Sequence, residues 1–192
     1  DPEGYPDNLN YRAFNEPADI VTVSHDHGDH VGTHVVKGSP LVIKGNGKFA
    51  AEDFEFLGVE TFHDKDRGSR RGGNTVFVMR VDGLTLAHMG DLGHVLTADQ
   101  AAEVGAVDVA MIPVGGHFTI DAAEATKVAE QVAAKIVIPM HYRTEKCLFP
   151  IADVDEFLEG KHNVKPMNDS VLTVTPETLP EEPQIVVLRY SL

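Results

Sequence analysis

"VTVSHDHGDHVGTH", residues 21–34, is the stretch from which the rest of the chain can be read. The apolar run "ADIVTV" (18–23) gives way to ten positions, 25–34, that hold four of the chain's ten histidines and two aspartates. The run has the pattern of a buried strand, and the edge beyond a strand's C-terminal end is where α/β proteins place their sites. His25 and His27 are two apart, so in an extended segment they point the same way and can reach one ion. Gly28 lets the chain turn sharply, after which Asp29 and His30 face a neighbouring position. One loop could thus supply ligands to two metals. The alternative is a solvated histidine-rich loop. The order H-x-H-x-D-H directly after a strand is far more specific than a histidine tract.

Composition narrows the partners. The chain has 192 residues, 42% hydrophobic, enough for one domain with a substantial core. No apolar run approaches the roughly 18–20 residues that span a bilayer, which points away from a membrane. The polar, Pro-rich opening "DPEGYPDNLNYRAFNEP" is not a signal peptide. A formal net charge of −14 repels phosphate backbones and argues against nucleic acid. The single cysteine, Cys147, cannot form an internal disulfide, which fits a reducing compartment and a cytoplasmic location. With one cysteine, any metal site has to be built from histidine and carboxylate. Oligomeric state is left open.

Working outward, strands are expected at 18–24, 40–45, 54–62, 74–82, 84–90, 107–114, 135–140, 170–175 and 184–190, with "VDG" (81–83) as a hairpin turn. Helices are expected at 97–105, with Thr97 and Gln100 as a capping box, at 121–134 behind Asp121 and Glu124, and at 151–160. Ala125, Val128, Ala129 and Val132 give the second helix its apolar stripe. Irregular alternation with a hairpin implies an α/β protein of mixed sheets with helices packed outside.

Further along, "VETFHD" ends in His63–Asp64, "LAHMGDLGH" carries His88, Asp91 and His94, and "VIPMHY" carries His141 and Tyr142. With "SHDHGDH" and "PVGGHFT", these segments resemble the metallo-β-lactamase-fold hydrolases over roughly residues 18–160. In texture they resemble the small Zn-dependent hydrolase branch (lactamase-B-3), related to the ascorbate-phosphate lactonases and more distantly to the N-acylphosphatidylethanolamine phospholipases D. The resemblance implies a single αββα domain over 1–192, with two mixed sheets face to face and helices outside. It also implies that the family's opening strand pair falls ahead of Asp1-Pro2, leaving the first sheet short of strands. Carried over, His25, His27 and His63 hold one metal, Asp29, His30 and His141 a second, and Asp91 bridges them. Zinc suits this donor set best, with manganese or iron as alternatives. Two such ions generate hydroxide at neutral pH and polarise the scissile group. Asp29 could also orient the nucleophile.

Other residues are weighed around that set. His88, three before Asp91, reads as a support for a carboxylate or a core histidine. His94 and His117 read as loop histidines with a substrate contact or leaving-group acid as the functional alternative. His34 and His162 read as turn and surface. Tyr142 either donates to substrate or packs. "DKDRGSRRGGN" (64–74) holds four of the sixteen Lys and Arg residues: Lys65, Arg67, Arg70 and Arg71. A clamp for an anionic substrate and a solvated loop stand level for it. The expectation is a metal-dependent hydrolase of a small, anionic ester, phosphoester or lactone. Its rivals are a non-catalytic or vestigial metal-binding scaffold and a nuclease of the same superfamily.

Overall fold

The computed structural model describes residues 8–11, 14, 16–51 and 54–190. The first strand, β1 (Ile20–Val23), pairs in parallel with β2 (Leu41–Lys44), Ile20 opposite Leu41. A second sheet contains β3 (Gly47–Ala51), β4 (Phe54–Phe62), β5 (Gly73–Val81), β6 (Leu84–His88), β7 (Val109–Pro113), β8 (Ile136–Met140), β9 (Val164–Pro166) and β10 (Gln184–Val187). Its order is β3-β4-β5-β6-β7-β8-β10-β9. From β3 to β6 the pairing is antiparallel, and from β6 to β9 it is parallel. Asp82 at φ +50° and Gly83 at φ +79° make the expected hairpin turn between β5 and β6.

Alternation along the strands divides the sheet into two faces. Ala87, Ala110, Val137 and Ile185 belong to the main core, which also takes Val104 of α1 (Ala98–Val104), Ala125 and Val128 of α2 (Ala122–Gln131) and Phe157 of α3 (Val154–Leu158). Thr97 and Asp121 cap α1 and α2 with complete capping boxes. On the opposite face, Val109, Ile136 and Val186 pack with Leu172, Val174 and Leu179. A third cluster joins Ile20 and Ile43 of the small sheet to Phe56 and Phe77 of the antiparallel strands, so the two sheets face each other there. No helix among the described residues is long and apolar enough to cross a membrane.

One expected strand does not form. Residues 170–175 alternate correctly, but have no regular structure and pack Leu172 and Val174 against the sheet. Alternation reports which side chains are buried. It does not report whether a sheet edge is within hydrogen-bonding reach. Two short edge strands, β3 and β9, were not expected. "GKFAA" has low strand propensity and "VKP" is three residues ending in proline.

Candidate metal centre

Four strand ends converge. β4 and β6 both pair antiparallel with β5, and β6, β7 and β8 run parallel, so β4, β6 and β8 all end at one edge of the sheet. His63 follows β4, Asp91 follows β6 and His141 follows β8. The His25–His30 loop, after β1, is tied to the same edge by Thr75 N–H donating to Ser24 O at 2.8 Å.

Asp91 lies at the centre. Its Oδ2 is 3.3 Å from His63 Nε2, 3.5 Å from His141 Nε2, 3.6 Å from His30 Nε2 and 3.9 Å from His25 Nε2. Asp29 Oδ2 is 3.7 Å from His30 Nε2. Donor atoms of His25, His27 and His63 fall within 4.8 Å of one another, as do those of His25, His30 and Asp91. All seven carried-over residues are therefore in one cluster. Burial alone would raise the Asp91 pKa, but bonds from His141 and His63 hold it well below the usual carboxylate range. His25 is pushed down to about 3, by burial first and then by the charge of His30.

The donor chemistry fits a metal. His25 Nδ1 is 2.9 Å from Ser24 Oγ, and its Nε2 is buried without a hydrogen-bond partner. His63 Nδ1 and His141 Nδ1 are likewise buried and unpartnered. Buried imidazole nitrogens are normally hydrogen-bonded, and the His25 Nε2 orphaned 3.9 Å from Asp91 Oδ2 is what an ion would satisfy. The set contains imidazole and carboxylate without thiolate, a zinc-compatible combination.

The strongest positioning residue was invisible in the sequence. Buried Asn74 accepts from Asp91 N–H at 2.9 Å and donates to Met89 O at 3.0 Å and Thr61 Oγ1 at 2.7 Å. It holds the turn that carries Asp91. Gly90 fits there because it has φ +57° and any Cβ would stand 2.3 Å from Asn74 Oδ1. Gly93 is as constrained: a Cβ would lie 2.2 Å from the carbonyl carbon of His63, and its N–H donates to Phe62 O at 2.9 Å. The glycines of "GDLG" (90–93) have the look of close-approach positions, but nothing local tells that the Asn74 side chain approaches Gly90 and the His63 backbone approaches Gly93.

The remaining candidates separate. His88 Nδ1 accepts from Gly90 N–H at 3.1 Å, so it props the same turn. His94 Nε2 accepts from Phe62 N–H at 3.1 Å, and its Nδ1 is 2.8 Å from Val95 O, so both nitrogens are engaged away from the centre. His117 is exposed at φ +58°, its ring edge-on to Phe118. Tyr142 packs against the main core, and burial raises its pKa. His34 and His162 are exposed. Asp64 is the unforeseen organiser of the basic loop. Its carboxylate accepts the backbone N–H groups of Asp66, Gly68, Arg70 and Arg71 at 2.8–2.9 Å. Desolvation alone would raise its pKa, but these bonds outweigh that and lower it to about 2.

Comparison with known proteins agrees with this geometry. A family model described as a beta-lactamase superfamily domain matches residues 1–141. A UPF0173 metal-dependent hydrolase of Pyrococcus furiosus is 32% identical over 165 residues, covering 72% of each chain. Another, of Staphylothermus marinus, is 30% identical over 181 residues, covering 82% of this chain and 76% of the relative. A crystal structure from Thermotoga maritima, described as a candidate Zn-dependent hydrolase of the metallo-beta-lactamase superfamily, superposes with a TM-score of 0.79 at 40% identity, covering 92% of this chain and 84% of that one. With its ligand-like cluster at the shared edge of four strand ends, the chain belongs to the metallo-β-lactamase superfamily, among its metal-dependent hydrolases.

Proposed function

We propose that the chain hydrolyses a small anionic ester, phosphoester or lactone with two divalent metal ions, zinc foremost. His25, His27 and His63 would hold one ion, Asp29, His30 and His141 the other, and Asp91 would bridge them. The observation that carries this reading is the set of four imidazole Nε2 atoms gathered 3.3–3.9 Å around Asp91 Oδ2. Bound ions would lower the pKa of a water and polarise the scissile group. The protein's own part is positional. Asp29 would orient the attacking water, and Asn74 and His88 keep the Asp91 turn in place. Exposed His117 would donate to a leaving group, and Tyr142, next in sequence to His141, would contact the substrate. Arg67, Arg70 and Arg71 supply positive charge on the loop that follows His63. The unpaired Cys147 suits a cytoplasmic enzyme.

Elemental analysis of the purified protein beside His63→Ala tests the centre. About two ions per chain, fewer in the variant, support a binuclear site. Hydrolysis of generic ester and phosphodiester substrates that vanishes in Asp91→Ala supports the chemistry. A protein that binds no metal after incubation with zinc or manganese would be a scaffold instead.

A further inference from the structure

The cations of the basic loop are not equivalent. Lys65 Nζ lies 2.6 Å from Glu124 Oε1, and Arg70 Nε lies 2.7 Å from Asp66 Oδ2, so both are matched by carboxylates. Arg67 is exposed. Arg71 is anchored at both ends. Its backbone N–H donates to Asp64 Oδ2 at 2.8 Å, and its Nη1 donates to Phe118 O at 3.3 Å. Its guanidinium carbon stands 5.3 Å from the centre of the Phe118 ring. That ring is 6.4 Å from the ring of His141 and 5.6 Å from that of Phe149, edge-on to both. The guanidinium of half-buried Arg71 is therefore held one aromatic ring away from a residue of the His/Asp cluster.

This arrangement leaves recognition capacity unused. Guanidinium has five N–H donors, and the bond to Phe118 O engages one nitrogen. No ion pair recorded among the described residues involves Arg71. Anchoring by Asp64 and by the Phe118 face removes much of the entropy that a free arginine loses on binding. A fork held this way matches a carboxylate or a phosphate monoester through two oxygens.

We infer that Arg71 is the anion-recognition group of this site and that Phe118 and Phe149 form the wall for an apolar part of the substrate. The charged group then sits one ring's breadth from the metal cluster and is not the bond that is cleaved. The inference rests on the hydrolase reading above and narrows it to esters, phosphodiesters or lactones bearing a remote anion on an apolar body.

Three probes with one apolar body decide the matter: 4-phenylbutyrate, 4-phenylbutyl phosphate and the neutral 4-phenylbutyramide. Each is titrated by NMR or calorimetry into the protein, both metal-free and zinc-loaded. In the metal-free protein, Arg71→Ala should weaken binding of the preferred anion about tenfold or more, the scale of a charge-assisted bond. The amide should change by less than about twofold, and Lys135→Ala, which removes a cation paired with Asp108 outside this loop, should leave both unchanged. Arg71→Lys, which keeps the charge but not the fork, should recover only part of the loss and guards against a folding defect in the alanine variant. The carboxylate and phosphate arms identify which anion is preferred. Equal losses in Lys135→Ala and Arg71→Ala, equal binding of acid and amide, or no measurable binding of either acid to the parent protein would overturn the inference. The hydrolase reading fails separately, if the zinc-loaded parent protein cleaves no ester, phosphodiester or lactone while these binding differences persist.

Discussion

Replacing Asn74 by alanine should damage the centre without touching a residue of the His/Asp cluster. The substitution removes the acceptor of Asp91 N–H and the donor to Met89 O and Thr61 Oγ1. Thr61 Oγ1 keeps a partner, because it still donates to the backbone O of residue 74 at 3.0 Å. Two backbone groups, Asp91 N–H and Met89 C=O, are left buried and unmatched. Each such group costs about 1–3 kcal/mol, so the pair costs about 3 kcal/mol if one entering water satisfies part of the demand. For a chain of this size that lowers Tm by roughly 6–12 °C. The more telling effect is on Asp91, whose turn loses its anchor while its carboxylate is drawn toward several imidazoles. Metal content should fall, and added zinc should raise Tm less than it does in the parent. Asn46→Ala is the control: its side chain bonds Thr75 Oγ1 at 3.2 Å from an exposed position, and its loss should shift stability by no more than about 0.5 kcal/mol. Melting curves with and without zinc, paired with elemental analysis, read all of this. If Asn74→Ala retains parental metal content and melts within about 2 °C of the parent, the residue does not position Asp91 and the reasoning is refuted.

Other perturbations test separate links. Asp64→Asn puts an amide N–H₂ against two of the four backbone donors that the carboxylate accepts, and each unmatched N–H costs about 1–3 kcal/mol at neutral pH. Because the folded-state pKa of Asp64, about 2, lies below its ordinary value of 3.8, this stabilisation is present above about pH 4 and is lost as pH falls toward 2. The gap between parent and Asp64→Asn in urea melts should therefore close over that interval, and a constant gap would contradict it. His25 also has a lowered folded-state pKa, about 3 against 6.5, so below pH 6.5 the unfolded chain takes up protons that the folded one refuses. Metal-free protein should lose stability progressively from pH 6.5 toward 3, and less steeply in His25→Gln; identical pH profiles for the two would rule this out. Gly93→Ala forces a Cβ against backbone of His63, which cannot rotate aside, and should cost about 1–3 kcal/mol together with metal. Full metal content in a stable Gly93→Ala protein would show that the two loops separate more easily than their packing indicates.

Four segments of the cluster were legible as the ends of apolar runs, whereas the full set came from the family resemblance carried by "SHDHGDH", "VETFHD", "LAHMGDLGH" and "VIPMHY". His25, His63, Asp91 and His141 are polar residues standing where a buried strand stops, and strand ends that share a direction share an edge. The register that unites them is hydrophobic patterning, and that is written in the sequence. Asn74 opens the strand "NTVFVMRVD" as an ordinary polar boundary residue, and nothing local tells that its amide bridges segments thirteen to seventeen positions away. Asp64 was hidden differently. In "DKDRGSRRGGN" the eye falls on the cations, whereas the loop is wound around the single buried anion at its start. The misread segment 170–175 marks the same boundary from the other side, since its alternation did identify Leu172 and Val174 as buried.

What patterning cannot specify is the distance between loops, and here that distance is set by backbone-to-backbone and backbone-to-side-chain ties. Ser24 O takes Thr75 N–H, Phe62 O takes Gly93 N–H, Asp91 N–H reaches Asn74, and Gly115 N–H donates to His141 O at 3.1 Å. Each tie joins a residue of the cluster or its immediate neighbour to a strand end or to another loop. His141 adds a left-handed backbone at φ +52°, a conformation a non-glycine residue holds only when its surroundings impose it. Four imidazoles around one carboxylate could arise by collapse around an ion, in which case the loops would need no other reason to meet. The ties argue otherwise. They would hold the Asp91 turn against His63 whether or not an ion is bound, so an ion would enter a cluster already assembled and its binding energy would not have to order the loops.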